Sequence, residues 1–203
     1  MTTRLLLASR NAKKLVELRR ILATTSAGEQ VELIGLADVD EYAEVPESGL
    51  TFAENALIKA REGARRTGLP TVADDSGLTV DALNGMPGVF SARWSGRHGD
   101  DEANLQLVLG QIGDVPDEHR AGGFVCAAAL VWPDGREQVV EGRMPGRIIR
   151  APRGENGFGY DPIFVPDGHR QTSAELSADA KDAISHRGKA FRGLADLIAA
   201  ELR

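Results

Sequence analysis

The sequence predicts an α/β fold with a mixed β-sheet flanked by helices, and two observations support this prediction. Short apolar runs of strand length alternate with segments whose apolar residues recur at helical spacing, which is typical of parallel strands joined by helices. Two further apolar runs flank a turn at Pro133, Asp134 and Gly135, which indicates an antiparallel hairpin. A sheet that contains both kinds of pairing is mixed.

The first third of the chain predicts two strands and two helices. Arg4 to Ala8 is a short apolar run suited to a buried strand, and apolar residues at helical spacing predict a helix after it. Val31 to Leu36 predicts the second strand, and the acidic, proline-containing stretch from Asp38 to Ser48 predicts a loop. Thr51 and Glu54 have the spacing of a capping box, so the second helix should begin there.

The rest of the chain adds further helices and the hairpin. Asp100 is suited to cap a helix that ends near Gly113. The hairpin strands are predicted at Phe124 to Trp132 and at Glu137 to Met144. A last helix should follow Arg187, because apolar residues recur after it at helical spacing. No repeat, low-complexity tract or linker interrupts the sequence, so residues 1–203 are predicted to form a single domain.

Composition narrows the classes of function. With 42% hydrophobic and 27% charged residues, the chain has the composition of a soluble globular protein. The net charge of −6 argues against a nucleic-acid partner, because phosphate backbones are bound by a concentrated basic face. The apolar patch from Leu5 to Ala8 is too short for a signal peptide, and no stretch has the ~20 apolar residues of a membrane span. The single cysteine, Cys126, lies in an apolar run, so we expect a buried thiol and a cytoplasmic protein without a membrane partner.

Asp74 and Asp75 are the first candidates for chemistry. The apolar run that begins at Thr71 stops at these two carboxylates, and Ser76 and Gly77 follow them. In α/β proteins ligands bind outside the carboxyl ends of the strands, where a pair of carboxylates can hold a cation. The same residue types also favour an ordinary turn. The stretch alone therefore leaves both interpretations open.

Three other stretches could contribute to a ligand-binding site. Residues 9–11 precede the first helix, where backbone N–H groups and Lys14 could meet an anion. Asn55 and Lys59 are four residues apart and therefore share one face of the second helix. The glycine-rich loop from Gly154 to Tyr160 could wrap around a flat ligand. Each stretch also has a plain alternative, which is a solvated helix face for the lysines and a surface turn for the glycines.

Five motifs occur in an order that resembles one known protein family. They are GLTFAENALIKA at Gly49 to Ala60, ADDSGL at Ala73 to Leu78, PGVFSARWSG at Pro87 to Gly96, FGYDPIF at Phe158 to Phe164 and AISHRGKA at Ala183 to Ala190. From Leu5 to about Leu197 the chain resembles the non-canonical purine nucleoside triphosphate pyrophosphatases, which are also called inosine or xanthosine triphosphate pyrophosphatases.

This resemblance implies a housecleaning enzyme. Such enzymes hydrolyse ITP, dITP and XTP to the monophosphate and pyrophosphate with Mg²⁺, by attack of water at the α-phosphorus, and they are homodimers. The implied fold is elongated, with a twisted mixed sheet and two lobes separated by a deep cleft. Two alternatives are a nucleotide-binding module without catalysis and a phosphatase that releases orthophosphate. A mere binder gains little from carboxylates that face a triphosphate, so the acidic pair beside the lysines favours an enzyme.

The resemblance also implies roles for individual residues. Asp75 is the implied general base and magnesium ligand, Glu47 and Asp74 are further candidate ligands, and Ser76 is expected to contact the nucleotide. The implied triphosphate-binding positions are Ser9, Arg10, Asn11, Ala12, Lys13, Lys14 and Lys59. The implied base-binding positions are Phe158, Gly159, Tyr160, Asp161, Lys181, His186 and Arg187. Phe158 is expected to stack on the purine.

Two residues depart from the pattern of the family. The family usually has a small residue in place of Arg10 and a glycine in place of Lys13. The two extra charges either strengthen the attraction for phosphate or point to solvent. They leave the expected reaction intact, but they put the geometry of the phosphate-binding turn in doubt.

Overall fold

The computed structural model describes residues 2–201 and confirms the predicted mixed α/β class. The strands are β1 Thr3–Leu7, β2 Val31–Gly35, β3 Thr71–Val80, β4 Ala121–Val131, β5 Glu137–Ile148 and β6 Phe164–Pro166. The α-helices are α1 Ala12–Leu22, α2 Phe52–Thr67, α3 Asp101–Gln111, α4 Ala178–Ile184 and α5 His186–Glu201. Within the described residues the strands form one sheet in the order β2-β1-β3-β4-β5-β6.

The sheet contains both parallel and antiparallel pairs, as predicted. β1 is parallel to β2 and to β3, whereas β6 is antiparallel to β5. β4 and β5 are neighbours joined by residues 132–136, a connection too short for a parallel crossover. The backbone N–H of Trp132 donates a hydrogen bond to the carbonyl of Arg136 (2.9 Å), which closes the turn. The predicted hairpin is therefore confirmed, although β5 continues beyond the predicted Met144 to Ile148.

α2 forms as its local sequence predicts. The side chain of Thr51 accepts a hydrogen bond from the N–H of Glu54, and the Glu54 carboxylate accepts one from the N–H of Thr51, which is a capping box. Gly68 adopts the left-handed conformation (φ 67°) and its N–H caps the last turn of the helix. Between these ends, Asn55 and Lys59 lie one turn apart on the same side of the helix.

β3 is longer than the sequence predicts. The sequence predicts that the strand ends at Asp74, whereas β3 continues without interruption from Thr71 to Val80. Asp74 and Asp75 therefore lie in mid-strand, and the interpretation of this stretch as a turn is wrong. Successive side chains of a strand point to opposite faces, so the two carboxylates have different surroundings. Cationic partners on three helices compensate for the low strand propensity of aspartate.

The described chain divides into two compact units, each with its own hydrophobic core. Unit 1 comprises residues 2–75, 126–142 and 187–201, and unit 2 comprises residues 76–125 and 143–186. The core of unit 1 includes Leu7 of β1 and Phe191 of α5, and the core of unit 2 includes Leu78 of β3 and Phe164 of β6. Cys126 is buried in unit 1, as predicted. Among the described residues, no helix is both long and apolar enough to cross a membrane.

Candidate active site

Asp75 is the candidate general base, and two residues of α2 contact its carboxylate. The amide of Asn55 donates a hydrogen bond to Oδ2 (3.0 Å), and the ammonium nitrogen of Lys59 lies 3.9 Å from Oδ1. The Asp75 side chain is 13% exposed. Burial raises the pKa of Asp75 and Glu47 adds to the rise, although Lys59 opposes it. A partly accessible carboxylate with a raised pKa is suited to accept a proton.

Lys59 joins Asp75 to the loop that precedes α2. Its Nζ lies 2.6 Å from Oε1 of Glu47, and both side chains are largely buried. Burial alone would lower the pKa of Lys59, but attraction to Asp75 and Glu47 outweighs burial and raises it above the ordinary value. The lysine is therefore charged at neutral pH, and two carboxylates from different parts of the chain converge on it.

Asp74 has a fully buried side chain and binds two other cations. Its Oδ2 lies 2.7 Å from Nζ of Lys14 on α1 and 3.5 Å from Nε of Arg187 on α5. The thiol of Cys126 lies 3.9 Å from the same oxygen. Burial alone would raise the pKa of Asp74, but Lys14 and Arg187 outweigh it and hold the pKa well below its ordinary value. Asp74 is therefore an ionised carboxylate that anchors one cation from each of two helices.

The predicted triphosphate-binding turn connects β1 to α1. The N–H of Asn11 donates to Oγ of Ser9 (3.2 Å), and the N–H of Lys14 donates to the carbonyl of Asn11 (3.0 Å). The side chain of Arg10 is 63% exposed and lies 3.9 Å from Glu44. The side chain of Lys13 lies outside the described part of the chain. Of the two departures from the family pattern, Arg10 is therefore at the surface, with an acidic neighbour.

A cavity of about 760 Å³ brings most of these residues of unit 1 together. The residues in its walls include Ser9, Arg10, Ala12, Lys14, Tyr42, Glu47, Lys59 and Asp74. Sites for small ligands typically have volumes of about 300–1,000 Å³. The cavity therefore has room for a nucleotide's phosphate groups beside two buried lysines.

Two carboxylates of unit 1, those of Asp75 and Glu47, fit a magnesium ion. Within the described residues, no cluster of three or more His, Cys, Asp or Glu side chains is arranged to hold a metal ion. Mg²⁺ is usually held by one or two carboxylates together with substrate phosphates and water, so a larger cluster is not required. Asp75 and Glu47 supply such a pair, because both side chains are partly exposed and both carboxylates face one position, at the Lys59 ammonium. Asp74 fits less well, since its side chain is fully buried.

In unit 2, Asp161 organises the predicted base-binding loop. Its Oδ2 accepts hydrogen bonds from the N–H of Phe158 (2.9 Å) and from the ammonium of Lys181. The Lys181 Nζ also lies 5.4 Å from the centre of the Phe158 ring, which is 53% exposed. Gly157 is required at its position, because it has a positive φ of 79° and a Cβ there would lie 2.1 Å from Oδ2 of Asp161. The loop therefore presents an aromatic face with an adjacent cation.

Other predicted nucleotide-binding residues have supporting contacts. Tyr160 is buried and donates its hydroxyl to the carbonyl of Ser91 (2.8 Å), and burial raises its pKa. His186 is also buried, and its ring stacks on Phe124 with centroids 5.0 Å apart and planes at 15°. Gly159 donates its N–H to a carboxylate oxygen of α3. Ser76 is half-buried on β3, directly after Asp75.

The sequence reasoning missed several contacts of the site. The i,i+4 spacing placed Asn55 beside Lys59, but it gave no sign that Asn55 donates to Asp75. Glu17 lies 3.7 Å from Arg187, and neither its type nor its spacing pointed to this contact. Such contacts join residues 20 to 170 positions apart in sequence, as for Asn55 with Asp75 and for Arg187 with Glu17. Only the folded chain brings them together.

Comparisons with known proteins were made for the whole chain. The model of the Ham1 family matches residues 5–197. A relative from Nocardia farcinica named dITP/XTP pyrophosphatase is 64% identical over 197 residues, which cover 97% of this chain and 95% of the relative. The solved structure of a nucleoside-triphosphatase, dITP/XTP pyrophosphatase, from Mycobacterium abscessus has 62% identity and a TM-score of 0.81, covering 96% of this chain and 98% of that one. A HAM1 protein from Coxiella burnetii has 41% identity and a TM-score of 0.89, covering 98% and 100% respectively.

Proposed function

The chain belongs to the Ham1 family, and from this premise we propose that it hydrolyses non-canonical purine nucleoside triphosphates, such as dITP, ITP and XTP, to the monophosphate and pyrophosphate. The observation that carries the proposal is the cavity of unit 1, where Lys14 and Lys59 lie beside buried carboxylates. Phosphoryl transfer depends on positioning and charge neutralisation, and this cavity offers both.

Lys14, Lys59 and the turn of residues 9–12 bind the triphosphate in this proposal. Both lysines are largely buried, so their charges are weakly screened by water. The turn precedes the N-terminus of α1, where backbone N–H groups favour an anion. The cations thus neutralise phosphate oxygens while the pyrophosphate group leaves.

Asp75 accepts the proton of the attacking water. As the proton moves to the carboxylate, the water oxygen forms a bond to the α-phosphorus, and the bond from that phosphorus to the bridging oxygen of the pyrophosphate breaks. The Asn55 amide fixes the carboxylate through Oδ2, and the raised pKa of Asp75 improves its basicity. Direct attack by water is the simplest route, because a carboxylate base beside buried cations can activate and position it.

Mg²⁺ is the proposed cofactor, held by Asp75 and Glu47 together with the substrate. Asp75 and Glu47 would hold the ion, which would supply positive charge to the phosphates and would lower the pKa of a nearby water. The two carboxylates support this role by their oxygen donors and by their convergence on one cation.

Base selection is the task proposed for Phe158, His186 and Arg187. Phe158 offers an exposed ring on which a purine can stack, beside the Lys181 ammonium. His186 and Arg187 can both donate hydrogen bonds, which suits the carbonyl oxygen at position 6 of hypoxanthine and xanthine. Adenine has an amino donor at that position, so its triphosphate should be a poor substrate.

Two further parts of the proposal are a homodimer and a cytoplasmic location. The homodimer is supported by the family resemblance, and the cytoplasm by the buried free thiol of Cys126, which suits a reducing compartment. Light scattering coupled to size-exclusion chromatography measures the mass of the particle in solution and so tests the homodimer directly. A mass close to that of one 21.7 kDa chain would contradict it.

The decisive experiment identifies the released product. Purified protein is incubated with ITP and Mg²⁺, and pyrophosphate and orthophosphate are measured separately, with Asp75→Asn as the control. We expect IMP and pyrophosphate in equal amounts from the parent and almost none from the variant. Orthophosphate would indicate a phosphatase instead, and ITP binding without any product would indicate a binding module.

A further inference from the structure

Asp74 connects two residues that the proposed function assigns to different tasks. Lys14 is assigned to the triphosphate and Arg187 to the base, yet both lie near the same carboxylate oxygen, at 2.7 Å and 3.5 Å. The two cations come from different helices, α1 and α5. A single oxygen therefore lies within 4 Å of both cations.

The surroundings make this shared contact strong. Glu17 of α1 adds a second carboxylate at 3.7 Å from Arg187, so that two positive and two negative groups lie together. The most exposed of these four side chains is Lys14, at 16%. Because water screens buried charges poorly, a shift of one cation changes the attraction that Asp74 exerts on the other.

Lys59 offers a natural contrast. It is also a largely buried lysine of the same cavity, but it pairs with Glu47 at 2.6 Å and with Asp75 at 3.9 Å. Lys59 also lowers the pKa of Asp74, but by less than Lys14 and Arg187 do. It is thus a phosphate-binding candidate that pairs with Glu47 and Asp75, whereas Arg187 pairs with Asp74 and Glu17.

We propose that Asp74 is a positioning residue that couples triphosphate binding at Lys14 to base selection at Arg187. The inference rests on the proposed function. In the parent, Lys14 and Arg187 share the charge of Oδ2. If Lys14 is replaced by a neutral residue, Asp74 loses its nearest cation, attracts Arg187 more strongly and draws the guanidinium away from the base. Selection between bases then weakens, although Lys14 has no proposed contact with the base.

The test compares three variants, Lys14→Gln, Lys59→Gln and Asp74→Asn, by the ratio of kcat/KM for ITP to kcat/KM for ATP. Both substrates carry the same triphosphate, so a variant that affects phosphate binding alone lowers both values equally. We expect Lys14→Gln and Asp74→Asn to narrow the ratio about fivefold or more, the usual range for coupled sites. Lys59→Gln should leave the ratio unchanged while lowering both values.

The outcomes separate this inference from the function on which it rests. An unchanged ratio in Lys14→Gln, or an equal narrowing in Lys59→Gln, overturns the coupling even though the parent hydrolyses ITP. No hydrolysis of ITP by the parent overturns the proposed function and this inference with it. If Asp74→Asn does not fold, comparing Lys14→Gln with Lys59→Gln still tests the coupling. Neither of these variants replaces the buried carboxylate.

Discussion

The proposed phosphate site of unit 1 and the proposed base-binding loop of unit 2 are built in different ways. In unit 1, Asp74 and Asp75 lie in the middle of β3, and their partners project from α1, α2 and α5. In unit 2, Phe158 lies in a glycine-rich loop. Two hydrogen bonds, to the carboxylates of Asp101 and Asp161, hold this loop in place. The first site has buried ion pairs, whereas the second has an exposed ring.

The difference matches the demands of the two tasks. A general base must be held within a fraction of an ångström of its productive position, and strands and helices give that precision. A stacking surface needs only a flat face, so a loop is sufficient. We therefore expect replacement of the proposed base in unit 1 to affect turnover and changes in the loop to affect binding.

The largest effect is expected from Asp75→Asn. The amide keeps the shape of the carboxylate but cannot accept the proton, so kcat should fall about 10²- to 10⁴-fold while nucleotide binding remains measurable. The matched control is Asp161→Asn, the same chemical change in unit 2. Asp161→Asn should raise KM, and it should lower kcat far less than Asp75→Asn does. Steady-state kinetics at saturating Mg²⁺ measure both, and near-normal turnover in Asp75→Asn would refute its role as the base.

Lys14→Ala and Lys59→Ala should each weaken triphosphate binding about ten- to a hundredfold, the value of one charge-assisted hydrogen bond. Binding of the free nucleoside should change little, because the proposed partners are phosphate oxygens. Calorimetric titration with a non-hydrolysable triphosphate gives the affinities. Lys189, an exposed lysine of α5, provides the control, and Lys189→Ala should bind normally. Unchanged affinity in both test variants would make these lysines structural.

Phe158→Ala should raise KM about fivefold and leave kcat within about twofold, because stacking of a base on an aromatic ring contributes about 1–3 kcal/mol and this ring is half-exposed. Phe158→Tyr keeps the ring and should behave like the parent. A large loss of kcat in Phe158→Ala would show that the loop positions the reacting groups as well.

The smallest effect concerns Glu62, on a part of α2 away from Asp75. Arg65 and Arg66 donate to its carboxylate and lower the pKa of Glu62 to about 2. Because the folded pKa lies below the unfolded value, this stabilisation is present above about pH 4.5 and is lost as the pH falls toward about 2. Glu62→Gln should lower Tm by about 1–2 °C at neutral pH, and less at acidic pH, without changing kcat. Calorimetry checks this, and a Tm difference that grows in acid would contradict the assignment.

Local signals in the sequence predicted most of the elements correctly. The capping box at Thr51 and the glycine at position 68 act within one helical turn, so they can be identified from neighbouring residues alone. The course of β3 could not be predicted in this way. Asp74 and Asp75 oppose a strand by their own propensities, and they lie in one because distant lysines and an arginine neutralise them.

The candidate site also contains parts that the sequence predicted and parts that it did not. Residue types and motifs placed Asp75, Lys14 and Lys59 in the site, and the structure brings them to neighbouring positions in unit 1. The pairing of Arg187 with Asp74 could not be predicted, because it joins the last helix to a central strand. The family resemblance implied that Arg187 binds the base, but it did not imply that Arg187 contacts Asp74. The coupling proposed for Asp74 depends on this contact.

The regular geometry of α2 limits the insertions and deletions that the protein can tolerate. Each residue advances an α-helix by about 100°, so one residue inserted or deleted between Asn55 and Lys59 would rotate these two side chains away from each other. Asn55 and Lys59 could then no longer both reach Asp75. Related chains should therefore keep the number of residues in this stretch constant, even where they lengthen or shorten the loop before it.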